Sequence, residues 1–219
     1  FWAIASLVLI IALPVLMLGG GAADGLIDTF MTGFNWRCAS LSLWFGLAGY
    51  PPPAGSAGGE VTVRHGLNGA VVKDGMAGGS STCGEGTDFW QSWGETNYAG
   101  AEQVNVQNQA DVADFPCFSK FYLNFPLNAI PAGKTIQSAT LTLYQIGNAG
   151  GGKWGGSPDS LIQVLTVGED WDERSLNWNN APQAVDNVSQ AWVKPVAEWP
   201  GWPGVAWTWD LSRAVAEAY

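Results

Sequence analysis

Residues 136–146, IQSATLTLYQI, decide the fold. In an extended chain, Ala139, Leu141 and Leu143 fall on one side. Ile136, Ser138, Thr140, Thr142, Tyr144 and Ile146 fall on the other. A period of two is the signature of a strand that buries one face. The pattern recurs on both sides of this stretch. VTVRHG (61–66), EQVNVQNQ (102–109) and SLIQVLTV (160–167) read as strands, and SKFYLNFPL (119–127) sets Phe121, Leu123 and Phe125 on one face. IPAGK, GNAGGGKWGG, NNAPQ and WPGWPG punctuate the chain with turn residues. No helical pattern interrupts them before the very end. The expectation is a mostly β protein, an antiparallel β-sandwich of jelly-roll type.

Composition narrows the function. Lys and Arg number 9 against 19 Asp and Glu, a net charge of -10, which excludes a nucleic-acid partner. With 13 Trp in 219 residues, the chain is not intrinsically disordered. His65 is the one histidine, so a site needing two imidazoles is excluded, and we read it as a surface or capping residue. No Ser-His-Asp, phosphate-loop or dinucleotide motif is present, and no carboxylate pair is singled out for glycoside hydrolysis. We expect a protein that is not an enzyme.

The amino-terminal residues differ in kind. FWAIASLVLIIALPVLML (1–18) carries no charge and is long enough for a hydrophobic α-helix. Pro14 would kink it and Gly19-Gly20-Gly21 would loosen or end it. Leu26, Ile27, Phe30 and Phe34 recur at helical spacing, so the helix is expected to resume. Residues 41–50, LSLWFGLAGY, are too short for a helical span and read as a buried strand or a second apolar segment. PPPAGSAGGE (51–60) reads as a linker. The expected organisation is therefore an apolar segment over 1–50, a linker over 51–60 and a sandwich over 61–219.

Phe1 followed by an apolar run resembles the processed start of type IV pilins. Ala5 departs from the glutamate that many bacterial pilins carry at that position, as some archaeal-type subunits also do. The resemblance implies processing before Phe1 and a helix packed in a filament core. An uncleaved membrane anchor and a secretory signal peptide are the other readings of the same residues.

The rest of the chain resembles the DNRLRE domain, akin to the family 96 carbohydrate-binding modules. The resemblance runs over about residues 60–219 and rests on four blocks: Asn97-Tyr98-Ala99-Gly100, 125–144, 171–182 and 209–215. It implies a β-sandwich of secreted and surface proteins, polysaccharide binding in some members, and no catalysis. It also implies a glycine-rich strand after Val215, where this sequence ends at Tyr219, so the expected last strand is supplied either by a further segment or by a neighbouring subunit at an open sheet edge. The basic residues that bind acidic polysaccharides in such modules are few and scattered here, which argues against a strongly anionic glycan.

Within these blocks Trp171, Glu173, Trp178, Asn179 and Pro182 form a structural motif. Its tryptophans are expected in the core and Glu173 on loop amides, in preference to a sugar platform. Trp207 and Trp209 are expected to point inward together. Trp154, Trp199 and Trp202 lie in Gly- and Pro-rich loops and are the candidates for stacking on sugar rings. Asp170 and Asp172 are a weak calcium candidate beside Glu169 and Glu173, without EF-hand spacing; no other metal or cofactor is expected. In an exported protein Cys83 and Cys117 would pair, leaving Cys38 free or intermolecular, although Cys38 bonded to one of them would pin the linker. Asn187 opens an Asn-Val-Ser glycosylation sequon.

The combined expectation is an extracellular, cell-surface structural protein. In the main reading it is a pilin-like filament subunit that polymerises with copies of itself through its apolar segment. In the alternative it is a membrane-anchored carbohydrate-binding module whose partners are glycans. A non-catalytic accessory subunit of a membrane complex is the third reading.

Overall fold

The alternation in 136–146 becomes a fifteen-residue strand, Thr135–Ala149. The computed structural model describes residues 6–12, 29–46, 58–78, 92–109, 118–149, 159–196 and 200–219. Their strands, in chain order, are β1 (Ser6–Ala12), β2 (Thr29–Gly46), β3 (Gly59–Arg64), β4 (Lys73–Gly78) and β5 (Val104–Gln109). Then follow β6 (Ser119–Pro126), β7 (Thr135–Ala149), β8 (Ser160–Val167), β9 (Ala184–Val193) and β10 (Val205–Asp210). A short helix α1 (Ser92–Glu95) precedes β5, and α2 (Ser212–Ala218) follows β10.

Every strand pairing is antiparallel. The path runs β10-β7-β2-β5-β6-β1-β8-β9, with β3 beside β2 and β4 beside β6. It folds back on itself, because β9 and β10, at its two ends, touch each other. One core fills the space between the layers, as in a β-sandwich. Leu41 and Leu43 of β2, Val63 of β3, Leu141 and Leu143 of β7 and Trp209 of β10 meet Phe121, Leu123 and Phe125 of β6 and Ile162 and Val164 of β8. Trp209 Nε1 crosses the core to donate to the Ile162 carbonyl at 3.3 Å. Each of these side chains, fully buried, contributes about 1.5–3 kcal/mol. Trp207, half-buried on the same face as Trp209, packs against this core and donates from Nε1 to Gln145 Oε1 at 2.8 Å.

Helix α2 closes one end. Ala214 and Val215 join the core, and the Tyr219 hydroxyl donates to the Pro131 carbonyl at 2.6 Å. Arg213 reaches Asp186 of β9 at 2.6 Å, which ties the helix to the far edge of the path.

The amino-terminal expectation is corrected here. Of the helix expected over 1–18, the described residues, Ser6–Ala12, form strand β1, bonded to β6 on one side and β8 on the other. A short apolar run rich in Val and Ile has no polar alternation to separate a helix from a strand flanked on both sides, so periodicity could not choose. The resumed helix is corrected as well: Phe30 and Phe34 lie in β2. A spacing of four residues keeps one face in either conformation. β2, which precedes the linker expected at 51–60, pairs with β3, β5 and β7. Residues 51–57 of that linker lie outside the described residues. Among the described residues, no helix is long and apolar enough to cross a membrane.

β4 and β9 had no strand reading in the sequence. Lys73–Gly78 carries two glycines and an aspartate, which mimic a turn. Gly75 is there because a Cβ would stand 2.5 Å from Leu176 Cδ2 and 3.1 Å from the Trp171 ring.

The centre of the β2/β7/β10 layer is Leu141, opposite Leu41 on one side and Trp209 on the other. Leu141→Ala is expected to lower unfolding free energy by about 2–5 kcal/mol, read from the midpoint of urea denaturation.

Candidate functional site

Two surfaces of the sandwich concentrate chemistry. The first is a corner built by residues 170–182 over the outer side of β4 and β6. Trp171, Leu176 and Ala181 bury themselves on Tyr122 and Ala77. The Trp171 and Tyr122 rings lie 5.8 Å apart and tilted by 57°. The Tyr122 hydroxyl donates to the Pro182 carbonyl at 3.0 Å, and its burial raises its pKa above the ordinary tyrosine value. Glu173 Oε1 accepts the Asp74 N–H at 2.7 Å. Asn97 Nδ2 donates to the carbonyls of Glu173 and Leu176 at 2.8 and 2.7 Å. Asn179 N–H donates to the Gly94 carbonyl at 3.2 Å. The corner is thus sewn to β4 and to the 94–97 segment mainly through backbone groups.

Two lysines edge it. Lys73 bonds Asp170 at 2.8 Å and lies 5.4 Å from the Trp171 ring centroid. Lys120 lies 4.6 Å from the ring of half-buried Trp178. The Lys73 bond, together with the Trp171 N–H, holds the Asp170 carboxyl below the ordinary aspartate value. Asp172 Oδ1 accepts the Arg174 N–H at 3.0 Å. Among the described residues, no group of three or more His, Cys, Asp or Glu side chains is placed to hold a metal ion.

The second surface is the outer face of the β10-β7-β2-β3 layer. Register builds it in rows. Trp44 stands between Ser138 and Glu60, and Ser42 between Thr140 and Thr62, with Asp210 beyond Thr140. Ser40 stands between Thr142 and Arg64, with Thr208 beyond Thr142. All of these side chains are half-buried or exposed, and Trp44 is 50% exposed. The Ser42 and Thr62 hydroxyls meet at 3.3 Å. Asp210 Oδ1 accepts from the Ser212 N–H and hydroxyl at 2.9 and 2.5 Å, which holds its carboxyl below the ordinary aspartate value.

A family model, carbohydrate-binding module family 96, matches residues 89–218. The chain belongs to this family. Neither a curated protein nor a solved structure matches it. The matched segment of this family 96 module holds β5–β10, both helices and the corner. β1–β4 precede it, so Trp44 and the β2 and β3 halves of the hydroxyl rows lie outside the match.

The residues singled out in the sequence fall in different places. Trp202 is 67% exposed in the loop between β9 and β10. Trp154 and Trp199 lie outside the described residues, as do Cys83, Cys117 and Phe1. Cys38 lies in β2. Asn187 is exposed on β9, and the His65 Nδ1 is 3.1 Å from the Val72 carbonyl. Two exposed tryptophans on strands were not singled out as sugar candidates: Trp44 and, on β9 opposite Leu161, Trp192 at 56% exposure. The signal for Trp44 was available in Ser40-Leu41-Ser42-Leu43-Trp44. Its small polar residues alternate with leucine, and the leucines had to face the core.

The bonds of Glu173 and Asp210 can be checked directly. Glu173→Ala strands the Asp74 N–H and should cost about 1 kcal/mol by urea denaturation, most of it restored in Glu173→Gln, which keeps the acceptor oxygen. Asp210 has a depressed carboxyl pKa, so its contribution is present above the ordinary value of 3.8 and lost as pH falls through its folded value. The stability advantage of the wild type over Asp210→Asn should therefore shrink in acid, measured as melting temperature across a pH series from 7 down to about 2.

Proposed function

We propose that this protein is a non-catalytic carbohydrate-binding module displayed outside the cell. The observation that carries the reading is the family 96 match over 89–218, which spans most of the sandwich. The architecture agrees with it. A rigid antiparallel scaffold exposes Trp44, Trp192 and Trp202, side chains whose flat faces suit the apolar side of a sugar ring. Catalysis would need an activated nucleophile or a tuned acid–base pair. The shifted carboxylates, Asp170 and Asp210, are both lowered and both engaged in local bonds.

The family match favours this reading over a filament subunit. The filament reading rested on an apolar helix at the amino terminus, where the described residues form strand β1.

The test is a polysaccharide panel. Purified protein should be retarded in native gels containing at least one soluble polysaccharide, with saturable binding by calorimetry. Reducing ends should not accumulate on prolonged incubation with that polymer. Release of sugar would overturn the non-catalytic half of the proposal, and no retardation by any polymer would overturn the binding half.

A further inference from the structure

We propose that the outer face of the β10-β7-β2-β3 layer is the glycan-binding surface, and that its ligand is an extended, uncharged polysaccharide. This rests on the carbohydrate-binding reading above and gives it a place and a ligand class.

Three observations support the place. Trp44 is the large apolar side chain on this face, half exposed, held on a strand paired on both sides. The two rows next to it each carry three short hydroxyl side chains in register, Thr62, Ser42 and Thr140 in one and Ser40, Thr142 and Thr208 in the other, with Asp210 and Arg64 at their ends. Each hydroxyl donates one hydrogen bond and accepts two, which is the bonding capacity of a sugar hydroxyl. Short side chains also leave the face flat, so a chain of rings can lie along it. The array runs along β7 from Ser138 to Thr142, about 13 Å of strand, and the register shift of β2 between Asn35 and Ser40 ends it there.

Charge supports the ligand class. Among the described side chains of this face Glu60 and Asp210 outnumber Arg64, and the chain as a whole carries -10. A polymer of uronic acids or sulfated sugars would be repelled, whereas a neutral glucan, mannan or xylan would not. The competing surfaces are poorer. Trp202 stands on a loop, and Trp192 stands opposite Leu161 rather than among hydroxyls.

The experiment uses the full chain with barley β-glucan, konjac glucomannan and wheat arabinoxylan as neutral probes, and polygalacturonate as an anionic one. Binding is read by affinity electrophoresis and calorimetry. Melting curves check that each variant is folded. Trp44→Ala should weaken binding to the neutral probe at least about tenfold, the scale of a central aromatic contact. Thr142→Lys should weaken it comparably by raising a long side chain from the flat face. Trp202→Ala should leave it within about twofold. If the intact chain binds a neutral probe and both face variants bind it equally well, the place is wrong while the carbohydrate-binding reading stands. If polygalacturonate alone is bound, the ligand class is wrong and that reading again stands. If none of the four probes is bound, the proposal falls, and the wider panel decides the reading beneath it.

Discussion

The two-residue alternation of β7 is the constraint on which the rest depends. Leu141 and Leu143 face the core, and Thr140 and Thr142 face out. Because β7 pairs with β2 on one edge and β10 on the other, the same choice is imposed on both neighbours. A slip of one residue would turn Leu41, Leu141 and Trp209 to water together and bury a row of hydroxyls without partners. Hydrophobic burial thus sets the register. Register in turn sets the outer rows, where Trp44, Ser42 and Thr140 meet although nearly a hundred residues separate them in the chain. The surface chemistry is a by-product of how the inside must pack.

The corner at 170–182 solves a different problem. β6 is buried on both sides, with Phe121, Leu123 and Phe125 inward and Tyr122 outward. An outward tyrosine on such a strand needs a cover, and Trp171 and Leu176 supply it. Covering segments bring their own unpaired backbone groups, which must be satisfied where water is excluded. Asn97 and Tyr122 satisfy carbonyls of the cover, and Glu173, from the cover, accepts the Asp74 N–H of β4. The Trp171 Nε1 is the exception: buried, with no hydrogen-bond partner among the described residues. Its ring is kept for area and shape against Gly75 and Tyr122 rather than for its donor. A Trp-rich block in a carbohydrate-binding family is therefore not by that fact a sugar site. The corner is a lid on the scaffold.

Strands with a regular alternation or a bounded apolar run were legible in the sequence; β9, largely exposed but without a regular alternation, was not. β3, β5, β6, β7 and β8 were readable from alternation or from bounded apolar runs, since their other face meets solvent or a turn follows at once. β1 lies between β6 and β8, and its sequence from Leu7 to Ile11 is unbroken apolar. Nothing in such a run distinguishes the two periods. β4 failed for the opposite reason: its glycines answer to the Trp171 lid, a tertiary demand that local propensity cannot express. The sugar candidates followed the rule that exposed aromatics sit in loops. That rule reaches Trp202 but passes over Trp44, whose neighbours Leu43 and Phe45 make it look like one more apolar residue of a buried segment.

A ligand site on a sheet face carries a thermodynamic advantage over one on loops. Serine and threonine side chains have few torsions to freeze, and β2 and β7 in the middle of the face are held by ladders on both edges. Little ordering entropy then opposes weak contacts, so an array of individually modest hydrogen bonds can add up. The cost falls on discrimination. Hydroxyls spaced by a pleated sheet present similar groups at every step, so such a face tells extended chains from branched or charged ones better than one neutral sugar from another. Glu60 and Arg64 at its margin, and Asp210 fixed by Ser212, are the groups on this face with a definite charge. On the reading proposed, finer selectivity comes from them and from the orientation of the Trp44 ring, because the side chains between are all serines and threonines.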